Sequence, residues 1–364
     1  MKAVAVHPDQ KKFGLVDHPE PSRLGESEVR LRILEVGICG TDKEIVAFEY
    51  GTPPEGFDYL VIGHECLAEV IETGPGVTQF KPGDLAIPSV RRPCQHDHCT
   101  ACRAARQDFC FTGDFVERGI KEAHGFMTEQ IAEDERFLNP VPQSLRGLGV
   151  LVEPLTIAEK AMEQVWQVQQ RLPWLAGGTH NHTALVLGAG PVGLLGAMKL
   201  VAEGFKTYVY SRSTGSECRD DIVRGIGAVW LPAEEVKAQD LASHLGTIDV
   251  VYEAVGASAL AFDVLHYLDA NGVFVFTGVP GRKAAIQVDT DRLMRDLVLK
   301  NQVMIGTVNA GHTAFEAAIR DLDSYAQRWP KETGMIITNR IPIEDAAEPL
   351  SGRVPGIKNV ICPN

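Results

Sequence analysis

Chemistry enters this 364-residue chain at Cys39, within Gly37-Ile38-Cys39-Gly40-Thr41-Asp42, and at His64-Glu65, which follow Gly63. A thiolate, an imidazole and a carboxylate are the ligand types of a catalytic zinc, a site that keeps one position open for water or substrate. Glycines flank Cys39 and precede His64, so the backbone can turn tightly there and a ligand can come close. Adjacent side chains of a regular strand point to opposite faces. His64 and Glu65 therefore reach one metal together only if the strand breaks at that point, or if Glu65 binds part of the time. The competing readings are a buried, inert thiol for Cys39 and a helix cap for Thr41, since Thr41-x-x-Glu44 ahead of Ile45-Val46 has the form of a capping box.

A second set follows. Cys94-x4-Cys99-x2-Cys102-x7-Cys110 puts four thiolates on one loop, enough to close a tetrahedral structural zinc site and order a loop too polar to pack a core. His96 and His98 lie between the first two cysteines and could replace one of them. The alternative is a reduced loop without metal.

The third feature is Gly188-Ala189-Gly190-Pro191-Val192-Gly193, directly after the apolar run Ala184-Leu185-Val186-Leu187 and opening a helical segment. The first glycine permits the turn, the second lets backbone approach a pyrophosphate, and the third lets helix and strand pack closely. At the end of the next strand an acidic residue would hold the ribose hydroxyls of NAD. Here the chain reads Tyr210-Ser211-Arg212-Ser213, with a guanidinium, two hydroxyls and no carboxylate. Arg212 with Ser211 and Ser213 suits a 2′-phosphate. NADP is expected to be preferred and NAD tolerated.

The elements that must carry these residues fall into two groups. Residues 1 to about 150 read as short, half-buried strands, such as Val29–Leu34, separated by Gly and Pro turns. From Thr183 apolar runs near 208–210, 228–231, 249–252, 272–276 and 303–306 alternate with helical segments, the pattern of a parallel sheet covered on both faces. Helix is expected from Thr313 to Arg328, then strands at Met335–Thr338 and Ile357–Ile361 that return to the first domain. The fold class is α/β, with a β-rich domain at 1–180 joined by 307–364 and a doubly wound dinucleotide-binding domain at 181–306.

Composition bounds the rest. Apolar residues make up 45% and charged residues 23% of the chain, as in globular enzymes. A net charge of −13 argues against nucleic acid or an anionic membrane as partner. No early basic-plus-apolar stretch reads as a signal peptide, and no run nears the roughly 20 apolar residues of a membrane span. A cytoplasmic location is expected, where clustered cysteines point to metal rather than disulfides.

Cys39, His64-Glu65, the four-cysteine lobe and the later glycine turn, in that order, resemble the zinc-dependent medium-chain dehydrogenase/reductase family over nearly the whole chain. Arg91-Arg92-Pro93-Cys94, Arg106 to Cys110, Thr112-Gly113-Asp114-Phe115, Glu117-Arg118-Gly119-Ile120, His124 to Met127, Glu153-Pro154-Leu155 and Gly306-Thr307-Val308-Asn309 are similar to the archaeal-type glucose 1-dehydrogenases. The resemblance implies a GroES-like catalytic domain, a Rossmann domain, and oxidation of an aldose at its anomeric carbon to a lactone. It implies that Cys39, His64, Glu65 and Glu153 surround the catalytic zinc, and that Thr41, Asp114, Glu153 and Asn309 contact the sugar. It also implies cofactor contacts at Ala189 to Val192, Ser211 to Ser213, Thr277-Gly278-Val279 and Thr307 to Asn309, and a homotetramer or homodimer. The four residues between Cys94 and Cys99 exceed the usual two, and Asp114 stands where some relatives have Glu.

The residues read by themselves agree. Zinc would polarise the anomeric hydroxyl, Thr41 would take up its proton with Glu153 as another route, and a hydride would pass to the nicotinamide. Carboxylates at Asp114 and Glu117 suit sugar hydroxyls. The rival readings are a polyol or secondary-alcohol dehydrogenase of the same family, or a non-catalytic NADPH-binding relative.

Overall fold

The computed structural model describes residues 1–174, 182–212, 218–281 and 285–363. It divides into two compact units: Met1–Thr156 with Asn309–Gln327 and Ile337–Asn364, and Ile157–Val308 with Arg328–Ile336. The division falls inside the helix Val152–Gln169. The border expected at residue 180 lies outside the described residues.

The first unit is β-rich. Its main sheet runs in the order Leu138–Val141, Leu85–Pro88, Glu65–Thr73, Glu28–Gly37, Lys358–Cys362, Ile337–Pro342, and Gln130–Asp134 also pairs with Glu28–Gly37. A three-stranded sheet joins Lys12–Asp17, Lys2–His7 and Leu60–Val61. Alternation in Glu28–Gly37 sends Val29, Leu31, Ile33 and Val36 into one core with Val4, Val6, Ile45, Leu60, Ile62 and Phe126. The chain's return to this sheet is as expected, with one correction. Met335 and Ile336 close the helix Pro330–Ile336, and the strand begins only at Ile337. The apolar run Met335-Ile336-Ile337 is shared between two elements, both of which bury it in part, so periodicity could not divide it.

The second unit holds a six-stranded parallel sheet with order Val229–Pro232, Lys206–Ser211, Thr183–Leu187, Val250–Glu253, Val273–Phe276, Val303–Gly306. The order reverses between Thr183–Leu187 and Val250–Glu253, the switch point where such sheets take ligands at their carboxyl edge. Register makes that edge a straight row. Tyr210, Leu187, Glu253, Phe276 and Gly306 lie side by side across five strands. The next residues, Gly188, Ala254, Thr277 and Thr307, therefore leave the sheet at one level, beside Ser211, the last residue of its strand.

Candidate active site

The short helix Gly40–Val46 starts at Cys39, which serves as its N-cap. Thr41 is thus inside the first turn and does not cap it, which corrects the capping reading above. Asp42, wholly buried, reaches back: Oδ2 accepts from Cys39 N at 2.9 Å and Oδ1 from Gly63 N at 3.2 Å. One carboxylate thus ties the Cys39 turn to the His64 turn.

The strand breaks where the metal reading required it. Leu60–Val61 and Glu65–Thr73 are separate strands, and Gly63 between them has φ +91°. A Cβ at Gly63 would stand 2.6 Å from Met127 Cγ and 2.8 Å from Val36 Cγ1. Gly119 and Gly125 in turn pack their backbones on the Gly63 carbonyl, and Phe126 N donates to it at 2.9 Å. Three glycines from separate segments hold the His64 turn.

With the turn in place, single ligand atoms of Cys39, His64 and Glu65 all lie within 4.8 Å of one another. His64 Nδ1 is 3.4 Å from Asp42 Oδ1. Burial would push this imidazole down, but Asp42 and then Cys39 outweigh it and hold it well above its ordinary range. Three acidic groups crowd one buried imidazole, a concentration of negative charge that a divalent cation answers. The donor set fits zinc, with Asp42 as the carboxylate behind the histidine that fixes its ring.

Glu65 has a second partner. Its Oε2 accepts from the buried Lys358 ammonium, which also donates to Ile38 O at 3.2 Å. Glu153 stands in the first turn of Val152–Gln169 and is outside the close set of three. Burial above all, with Glu65 adding to it, pushes its carboxyl up to about 7 against the pull of His64 and Lys358. Thr41 lies near the phenol of Tyr50, whose ionisation burial opposes and which also senses Cys39 and His64.

Cys94, Cys99, Cys102 and Cys110 also converge within 4.8 Å, all as free thiols. Sulfurs tetrahedrally bound to zinc at about 2.3 Å stand about 3.8 Å apart; Cys99 and Cys110 are 3.9 Å apart. Burial opposes ionisation of Cys110, yet hydrogen bonds from Thr112 and the neighbouring backbone bring its thiol below the usual range. This loop fits a structural zinc as four thiolates. His96 takes no part in it: Nε2 lies 2.5 Å from Oδ2 of the exposed Asp114.

Glu117 lies on the strand Val116–Arg118, where Oε1 accepts from Asn309 Nδ2 at 2.7 Å and from Arg91. Asn309 adopts φ +57° and its own Oδ1 caps Ala310 N at 2.8 Å.

At the parallel sheet, Gly188 has φ +97°, and a Cβ there would strike Val255. Gly193 packs on the Gly188 carbonyl, while open space surrounds Gly190, the N-cap of the helix Pro191–Ala202. That open backbone is the cradle a pyrophosphate needs. Glu253, 2% exposed, accepts from Val255 N at 2.8 Å and Gly256 N at 2.7 Å and shapes the neighbouring loop. Thr277 Oγ1 donates to Glu253 O at 2.7 Å. Ala189 is buried, Val192 partly so, and Val279 and Val308 are exposed. Thr307 Oγ1 accepts from Gln164, and Val308 O from Lys160. Ser211 ends its strand and Arg212 is exposed beyond it; Ser213 lies outside the described residues.

Asp42, Tyr50, Arg91, Glu253 and Lys358 were not singled out for these roles from sequence. Asp42 alone carried a signal, its position one helical turn after Cys39. Lys358 is 293 residues from its partner and carried none.

A thiolate–imidazole–carboxylate centre in one unit and a glycine turn at the switch point of a parallel sheet in the other are the working parts of a zinc-dependent dehydrogenase. Comparison with known proteins agrees and goes further. Residues 25–143 match the alcohol dehydrogenase GroES-like domain and residues 146–362 the glucose dehydrogenase C-terminus. The chain belongs to the glucose dehydrogenases of the medium-chain dehydrogenase/reductase family. It is 37% identical to a glucose 1-dehydrogenase of Methanocella arvoryzae over 99% of both chains, and 38% identical to that of Thermoproteus tenax over 94% of both. Among solved structures it is similar to the Haloferax mediterranei glucose dehydrogenase in complex with NADP, Zn and gluconolactone, with TM-score 0.88 and 31% identity, covering 100% of this chain and 99% of that one. A Bacillus subtilis 2R,3R-butanediol dehydrogenase at 22% identity and TM-score 0.78 shares the fold.

Proposed function

We propose that the chain oxidises an aldose, D-glucose or a related sugar, at C1 to the aldonolactone, with NADP preferred over NAD as acceptor. The carrying observation is the convergence of Cys39, His64 and Glu65 in a chain similar along its length to a glucose dehydrogenase solved with NADP, Zn and gluconolactone.

Cys39 and His64 would hold the catalytic zinc, with Glu65 or Glu153 completing the set. When bound, the metal supplies a Lewis acid for the anomeric hydroxyl. A bound nicotinamide would supply the acceptor for the C1 hydride. The chain's own residues bind, orient and move the proton. Thr41 would take up the hydroxyl proton as its own passes to water, with Glu153 as another route. Glu153, Glu117, Asn309 and Asp114 supply polar contacts to the sugar. Gly188 to Gly193, Ser211 to Ser213, Thr277 to Val279 and Thr307 to Asn309 line the cofactor, and Cys94, Cys99, Cys102 and Cys110 hold a structural zinc. The unit Met1–Thr156 with Asn309–Gln327 and Ile337–Asn364 is the catalytic domain, and the unit Ile157–Val308 with Arg328–Ile336 the dinucleotide domain.

The protein works in the cytoplasm as a homodimer or homotetramer. The edge strand Val303–Gly306 and the helix Thr290–Leu299, which buries no residue and exposes Met294, Val298 and Leu299, support an assembly through this side of the parallel sheet. No helix among the described residues is long and apolar enough to cross a membrane, and the net charge of −13 gives no attraction to nucleic acid.

The test is a panel of aldoses and polyols with NADP and NAD, followed through absorbance of the reduced cofactor. Lactone from aldoses supports the proposal. Turnover of polyols alone would move the chain to the polyol dehydrogenases, and no turnover with zinc bound would make it a non-catalytic relative.

A further inference from the structure

Arg91 is 7% exposed and lies directly across from Glu117 in an antiparallel strand pair. Its Nε and Nη2 both stand 3.0 Å from the same carboxylate oxygen, Glu117 Oε1. Asn309 Nδ2 meets that oxygen too, at 2.7 Å. Arg–carboxylate pairs frequently match their two forks, one bond to each oxygen. Here two hydrogen bonds, from Arg91 Nε and Asn309 Nδ2, and the close Nη2 charge all fall on Oε1, and Oε2 accepts from no described residue. An ionised carboxylate still accepts hydrogen bonds through the second oxygen.

The other edge of the guanidinium faces the cysteine lobe. Nη1 donates to Asp108 O at 3.3 Å and Gln107 O at 3.5 Å, carbonyls of the turn Gln107–Phe109 that leads into Cys110. The Phe115 ring lies 3.7 Å beneath the guanidinium and fixes its plane. Lys121 packs on the same ring at 4.8 Å and donates to Gly113 O at 2.5 Å. A buried cation is costly unless it is paired and hydrogen-bonded, and among the described residues the side-chain hydrogen bonds of this one go to the lobe and to Glu117.

We propose that Arg91 is a positioning residue for the substrate: with Asn309 it pins Glu117 Oε1, so that Oε2 is presented to a sugar hydroxyl, and it ties that carboxylate to the order of the four-cysteine lobe. This rests on the reading of Glu117 as a sugar contact. A lysine at position 91 keeps the charge but loses the fork, the stacking and the carbonyl bonds. Arg91 therefore acts on how strongly one hydroxyl is recognised, and leaves cofactor binding alone.

The experiment compares wild type, Arg91→Lys, Arg91→Met and Glu117→Gln as zinc-loaded enzymes. It measures kcat and KM for D-glucose and its monodeoxy analogues, KM for NADP, zinc per chain and the thermal midpoint. Arg91→Lys should raise the sugar KM about tenfold or more, with NADP KM and zinc content unchanged. The penalty that wild type imposes on one monodeoxy analogue should shrink in Arg91→Lys and Glu117→Gln alike. If both Arg91 variants lose stability or kcat while sugar KM and the deoxy penalty stay as in wild type, Arg91 only supports the lobe and the proposal is wrong. If Glu117→Gln leaves the sugar constants unchanged, Glu117 is not a sugar contact, and the proposal goes with that reading.

Discussion

Asp42 Oδ1 lies 3.4 Å from Nδ1 of His64, and Asp42 has no exposed surface. A carboxylate in that place orients the ring and raises its basicity as a ligand. Asp42→Asn keeps the shape and removes the charge. It should weaken zinc binding about 10- to 100-fold, read by competition with a chromophoric chelator. Unchanged affinity would remove Asp42 from the metal's support.

Gly63→Ala should destabilise the fold by about 3 kcal/mol, combining strain at positive φ with overpacking. The positive φ of +91° and the close approach of Met127 and Val36 give the new methyl no room. Urea unfolding measures it; a loss below about 1 kcal/mol would mean that the turn adapts and does not fix His64.

His124 provides a pH dependence. Nδ1 accepts from Val61 N at 3.1 Å, Nε2 is buried with no partner, and the His18 ring lies 4.8 Å away. Burial, then the charges of His18 and Arg118, bring His124 down to about 4. In the unfolded chain it titrates near 6.5. Between those values the unfolded chain binds a proton that the folded one refuses, so stability is full above about pH 6.5 and falls toward pH 4. The ring is partly exposed, so screening leaves about 1–2 kcal/mol of this. His124→Asn offers Val61 an acceptor that does not titrate, and its stability should fall less than that of wild type from pH 7 to 4.5. Parallel curves would show that His124 takes no part.

The proposed contact of Arg212 with a 2′-phosphate sets the expected cofactor choice. Losing it should weaken NADP roughly ten- to a hundredfold, since hydrogen bonds between charged groups contribute about 1.5–3 kcal/mol. NAD should change little, and Ser211→Asp should turn preference toward NAD. Values of kcat/KM at one salt concentration decide it. Equal losses with both cofactors would place Arg212 on the adenosine or the fold.

Val298→Asp puts a charge in the exposed apolar patch of Thr290–Leu299. Sedimentation at working concentration should show a smaller assembly than wild type, with secondary structure intact. An unchanged mass would move the interface elsewhere.

The parts legible in the sequence are those written in short spacing. Cys39 with His64-Glu65, the four-cysteine run and the glycine turn after an apolar strand each declare themselves within a few residues. So does the β-rich and doubly wound fold class, because alternation and strand–helix succession are local. Contacts made by topology were not legible. Lys358 meets Glu65 across the sheet, and Asn309 reaches Glu117 from 192 residues away. Neither distance leaves a periodic mark. Asp42 stood in plain view, but a carboxylate one turn after Cys39 could equally cap or ligate until its two oxygens were located. The division at Thr156 was hidden because one helix runs through it.

The strand that carries Lys358 is laid beside Glu28–Gly37 only after the whole parallel-sheet unit has been synthesised. At about 5–20 residues per second, the ribosome takes on the order of tens of seconds to travel from Glu65 to Lys358. Through that interval the nascent first unit carries Glu65 without its ammonium and a sheet with one edge open. Vectorial synthesis thus leaves the Glu65 side of the metal centre incomplete until the C-terminal strand emerges, and an early metal would meet a carboxylate without its ammonium partner.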